Sequence, residues 1–239
     1  IAEQLEENEQ FEQAYEEYKK DLSHNPKDLN ILERLGHLAM VLDKKDEAEE
    51  YYTKILEHDL TNTMCYEQLM DIYIDTDKYK YYISRGNLHS VEKKLEHAIN
   101  DYKKALNHTT VETEIVMTRF TLANMYSQIN ETTKAIDEIL KILEYDSINE
   151  AVYIKLAQLY TQEDMATSAI DILERARKKF DNETINENLA KLYLKNNEPQ
   201  KAKELTKDEL LKIKCMLELK ETDEALKSLD EIEDKYKNN

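Results

Sequence analysis

One small residue returns along this chain at intervals that no single globular core would impose: Ala14, Ala48, Ala98, Ala135, Ala169, Ala202 and Ala225, separated by 34, 50, 37, 34, 33 and 23 residues. A period near 34 residues is that of paired helices stacked one upon the next. The cleanest copy reads Leu32, Leu35, Gly36, Ala39 and then, after eight residues, Ala48, Tyr52, Ile55, Leu56. Tyr153, Leu156, Ala157, Tyr160 lead in the same way to Ala169, Leu173, Ala176, and Leu122, Ala123, Tyr126 to Ala135, Ile139, Ile142, Leu143. Spacings of three and four put each set on one stripe of a helix. The small residues let two such stripes approach closely, because a larger side chain there would hold the axes apart.

Taken together, these units resemble the tetratricopeptide repeat, a helix-turn-helix of 34 residues. The family's first-helix aromatic is replaced by Leu32, Tyr82 and Tyr153. Its small residue stands as Gly36, Gly86, Ala123, Ala157 and Ala190, and its closing proline survives at Pro26. The resemblance implies an all-α, right-handed superhelical solenoid of antiparallel helix pairs forming a single repeat domain over 1–239. Its units fall at about 1–28, 29–62, 63–78 (partial), 79–115, 116–149, 150–182, 183–205 (shortened) and 206–239. Two spacings depart from the pattern. The 50-residue step contains a plain first helix at Tyr66, Leu69, Met70, Tyr73 with no second helix after it, and the 23-residue step leaves too little chain for a full pair. Shortened helices, or segments joined across absent residues, account for either.

Composition narrows the classes further. Two glycines and two prolines in 239 residues leave no room for glycine-rich turns or a sandwich of short strands. The chain opens inside a helical pattern at Ile1, Ala2 and Leu5, as expected of a fragment. No apolar run approaches the length that spans a membrane. Cys65 and Cys215 belong to no paired motif; they read as buried structural thiols of a reducing, intracellular and cytoplasmic setting. The net charge is −18, and residues 1–60 hold 17 acids against 7 bases, which is −10 of that total. Most of these carboxylates are expected on solvated faces, with a basic partner segment as the alternative use. No domain-scale basic patch exists to neutralise phosphates, so nucleic acid is not the expected partner.

Catalytic and metal signatures are missing from the pattern. His24, His37, His58, His89, His97 and His108 form no zinc spacing, and there is neither a phosphate-binding glycine loop nor a nucleophile elbow. No cofactor, metal or catalytic residue is predicted. The tyrosines fall largely on packing places (Tyr18, Tyr52, Tyr102, Tyr126, Tyr153, Tyr160, Tyr193), so core packing with the hydroxyl at the edge explains them.

The resemblance implies that first helices line a concave, peptide-binding groove. Its central units then carry an amide row, Asn87, Asn124 and Gln158, flanked by Ile83, Phe120 and Ile154 and by Ser90, Ser127 and Thr161. Amides both donate and accept, so a row of them suits successive peptide groups of an extended segment. Family members that grip a carboxylate terminus place lysines where this chain has Glu33, Ile83, Phe120 and Ile154, so that ligand does not fit. Lys191 and Lys214, further along, suit an acidic stretch. The expected function is a non-catalytic scaffold or adaptor holding an extended or basic segment of a protein partner, within a multiprotein complex. Self-association through the convex face and ends, as a structural subunit, is one alternative; RNA binding by a helical repeat is the other.

Overall fold

The computed structural model describes residues 1–145, 150–180 and 182–237, with side chains placed as far as Glu233. The boundary expected between 149 and 150 lies at the edge of residues outside that description. Among the described residues every regular element is an α-helix. They fall into two compact units, Ile1–Thr118 and Arg119–Asn239. The first contains Ala2–Glu7 (α1), Phe11–His24 (α2), Leu29–Val41 (α3), Lys45–His58 (α4), Thr63–Tyr73 (α5), Lys78–Val91 (α6) and Leu95–Leu106 (α7). Glu112–Gln128 (α8) contributes to both. The second continues with Thr132–Ile142 (α9), Glu150–Gln162 (α10), Ala166–Phe180 (α11), Glu183–Lys195 (α12), Pro199–Leu205 (α13), Glu209–Glu218 (α14) and Thr222–Lys237 (α15).

Each recurring alanine lies on the second helix of a pair, and the turn before it is built the same way. A non-glycine residue with φ between 55° and 62° stands five positions ahead of every one: Glu9, Asp43, Lys93, Asn130, Asp164, Asn197 and Lys220. The next residue's N–H then reaches back to the carbonyl five positions earlier, as in Lys44 to Ala39 (2.8 Å), Lys94 to His89 (2.8 Å) and Glu221 to Met216 (2.8 Å). This is the left-handed closure that usually carries glycine. A side chain there costs about 1–2 kcal/mol, against about 0.5–1 kcal/mol of extra unfolded-chain entropy for glycine. Asp43→Gly, Lys93→Gly and Lys220→Gly are therefore each expected to stabilise the chain by about 0.5–1 kcal/mol in denaturant titration. A loss of stability at all three would contradict this turn geometry.

First helices start differently. Asp28, Asn62, Asp77, Asn182 and Asp208 cap α3, α5, α6, α12 and α14 by accepting from backbone N–H groups of the first turn. Both α5 and α6 thus begin as first helices. The 50-residue step is one repeat plus α5, a helix that packs against α4 and α6 without a second helix of its own. The chain passes from α5 to α6 through a closed turn in which the N–H groups of Thr76 and Asp77 bond to the Tyr73 carbonyl (3.1 and 3.0 Å). In the 23-residue step the second helix, α13, is only 7 residues long.

The two glycines mark close approaches within their pairs. A Cβ on Gly36 would lie 2.7 Å from the Tyr52 ring, and one on Gly86 would lie 2.9 Å from the Tyr102 ring. Both tyrosines are buried, so neither ring can retreat cheaply. The pairs α3–α4 and α6–α7 therefore share one construction, a glycine accepting the ring of a tyrosine sixteen residues later.

Two buried acids sit three residues after the recurring alanine, Asp101 on α7 and Glu138 on α9. Asp101 accepts Arg85 Nε (3.0 Å) and Nη2 (2.6 Å) and contacts His89 Nδ1 (2.9 Å), while Arg85 also donates to the Tyr81 hydroxyl (3.2 Å). Glu138 accepts Arg119 Nη1 and Lys141 Nζ, both at 2.7 Å. Each arginine comes from the first helix of the same pair, so a charge that burial would otherwise disfavour is compensated across the helix seam.

Candidate functional site

In the second unit, α10 and α12 leave a cleft of about 420 Å3 between them. Its wall on one side is Ile154, Ala157, Gln158, Thr161 and Gln162 of α10; on the other it is Asn188, Lys191, Leu192 and Lys195 of α12, with Leu173 of α11 below. The two first helices present these residues for a simple reason. Their opposite stripes, Val152, Tyr153, Leu156 and Leu159 on α10 and Ile185, Leu189 and Tyr193 on α12, are buried in the seams, so the remaining face is left to solvent. The cleft is apolar at its base, amide-lined along one wall and cationic on the other, with no carboxylate among its lining residues.

Four of the residues expected from sequence, Ile154, Gln158, Thr161 and Lys191, come together here. The others are placed otherwise. Asn87 on α6 is half-buried in the first unit, and its Oδ1 accepts the Tyr102 hydroxyl at 2.7 Å. Part of its capacity is therefore committed inside its own helix pair, with Ile83 and Ser90 half-buried beside it. On α8 of the second unit, Phe120, Asn124 and Ser127 are half-buried, and Ser127 donates back to the Ala123 carbonyl (2.9 Å). Thr161 does the same to Ala157 (2.8 Å), so both hydroxyls face a partner as acceptors only. Lys214 is exposed on α14 between the exposed Leu210 and Leu217. Glu187, one turn before Lys191 on α12, accepts the Thr206 hydroxyl (2.5 Å) and the Lys207 N–H (2.6 Å), holding the segment before α14.

Sequence reasoning missed Asn188 and Lys195, although they lie three before and four after Lys191 and so share its face. It also missed the Arg85–Asp101–His89 cluster, whose partners are 12 and 16 residues apart on different helices. Nothing in the spacing distinguished those residues from other charged positions.

Among the described residues no group of three or more His, Cys, Asp and Glu could hold a metal ion, and no helix is long and apolar enough to cross a membrane. Cys65 and Cys215 are both fully buried free thiols. Burial pushes the Cys65 thiol up to about 12 and raises that of Cys215 as well. Both are therefore expected to stay protonated at mildly alkaline pH and to react with a disulfide reagent only as the chain unfolds. Rapid labelling of the native chain would contradict that.

Residues 29–62, which span α3 and α4, match the family model described as a tetratricopeptide repeat. No curated protein matches the chain's sequence. Among solved structures the chain is similar to one of Naa15/Naa10 bound to HypK-THB, at 17% identity and a TM-score of 0.51. The match covers 98% of this chain and 35% of that one, so the chain spans about a third of its length. It is also similar to a tetratricopeptide repeat protein from Parabacteroides merdae, at 18% identity, TM-score 0.45, and 98% and 90% coverage. YrrB, described as a repeat protein with an unusual peptide-binding site, matches at 15% identity, TM-score 0.40, and 89% and 97% coverage. At such identities the likeness concerns the fold alone.

Proposed function

Because residues 29–62 match a tetratricopeptide repeat, we propose that the chain is a non-catalytic scaffold of such repeats, holding an extended segment of a protein partner along the first helices of its second unit. The observation that carries the reading is the meeting of Ile154, Gln158, Thr161 and Lys191 in one cleft, with Asn188 on the opposite wall, its Nδ2 donating to the Thr184 carbonyl (2.8 Å) and its Oδ1 left to accept. Apolar side chains at the base would take a residue of the segment, and the amides would bond its backbone. Repeats of this kind act through extended surfaces and not through enclosed catalytic pockets. An unstructured segment loses conformational entropy on binding, so the expected affinity is near micromolar, about −8 kcal/mol.

Ile154 is half-buried and Gln158 exposed, so both can be truncated without opening the core. The double change Ile154→Ala with Gln158→Ala is expected to weaken partner binding by about tenfold or more while leaving the melting curve in place. A partner that co-purifies equally with parent and variant would refute the cleft as its seat.

A further inference from the structure

We propose that the cleft between α10 and α12 selects an acidic segment: an apolar side chain seats at its base, and an adjoining carboxylate is held between Lys191 and Lys195. This rests on the scaffold reading above and names the chemistry of the partner. The two lysines are one helical turn apart on the same wall, spaced for a single carboxylate to lie between them. Both are exposed, and neither makes an ion pair with any described carboxylate. Other lysines of the same unit are already matched, Lys201 with Glu198 (2.5 Å) and Lys203 with Glu221 (2.5 Å). By contrast, a cleft in the first unit is lined by Glu3, Glu6, Glu7 and Arg34.

The chain's overall charge of −18 argues for the opposite partner, so the two effects must be weighed. Charges in solution are screened over about 8–10 Å, so the acids spread along the chain act mainly on approach. At contact the nearest charges decide, and in this cleft they are both positive. A basic segment would set its own cations against Lys191 and Lys195 in a partly desolvated site, which penalises it directly. The net charge therefore bears on how fast an acidic segment arrives, and the cleft bears on whether it stays.

The test is a phage-displayed library of random peptides panned against the whole chain, followed by fluorescence anisotropy of the enriched peptides. Sequences with Asp or Glu next to Leu, Ile or Phe are expected. They should bind the K191E/K195E variant at least about tenfold more weakly, and K191R/K195R within about twofold of the parent. Enrichment of basic peptides overturns the proposal, as do acidic peptides that bind K191E/K195E as well as the parent. Peptides lost on Ile154→Ala/Gln158→Ala but indifferent to the lysines would leave the scaffold reading standing and remove this one. An unenriched library would remove both.

Discussion

Ala169→Asp is expected to unfold the helix pairs around α11. Ala169 is wholly inaccessible and sits where α11 meets α10 and α12. A carboxylate there has no partner and no room, so the variant bears both an overpacking cost of about 1–3 kcal/mol and the desolvation of a charge worth several more. Against a typical stability of about 5–15 kcal/mol, a loss of about 4–6 kcal/mol consumes the whole margin of a unit at the lower end of that range and lowers the melting temperature of a more stable one by many degrees. Because each repeat is held mainly by its neighbours, the loss should begin at α10–α12 and spread from there. Circular dichroism and hydrogen exchange would show it. Ala169→Ser, which adds only one hydroxyl, should cost about 1–2 kcal/mol by the same assay. An aspartate variant that melts with the parent would place Ala169 outside the seam.

Removing Asp101 is the second large effect, of electrostatic origin. Its carboxylate is 2% exposed and receives the Arg85 guanidinium by two bonds, with His89 as a third partner. The pairing with Asp101 raises the guanidinium's pKa further, so Arg85 stays charged whatever happens to its partner. Breaking a fully buried pair costs about 3–5 kcal/mol; the Arg85 side chain is 27% exposed and can draw some water, so Asp101→Ala should cost about 2–4 kcal/mol. Asp101→Leu combined with Arg85→Met should recover most of that, since both charges are then absent and the seam is apolar. A double-mutant cycle in denaturant measures the coupling. Equal losses for the single and double variants would mean that the side chains matter for packing and not for their charges.

The helix pairs were legible because their signals are local. Residues three and four apart define a stripe, and an alanine at a fixed distance after each turn marks the second helix. The turns themselves were hidden: Glu9, Lys93 and Lys220 carry left-handed backbone with none of the composition that usually announces it. The odd helix α5 was legible as a first helix at Tyr66, Leu69, Met70 and Tyr73 with no second helix after it; that the chain turns directly from it into α6, with Asn62 and Asp77 capping the two alike, is decided by the fold.

The cleft was half legible, for a different reason. A helix face can be read from spacing, so Ile154, Gln158 and Thr161 could be assigned to one face of α10, and Lys191 to the outward face of α12, without coordinates. Which polar groups on that face are left for a partner depends on what reaches them from elsewhere in the fold. Tyr102 takes the Asn87 carbonyl from 15 residues away, and the segment before α14 takes Glu187 from 19 to 21 residues away. Sequence alone thus determined the elements and their inward faces, because helical periodicity is a property of neighbouring residues. Tertiary structure alone decided which outward groups remain available, because a hydrogen bond across two helices requires a distance and an angle that no spacing along the chain encodes.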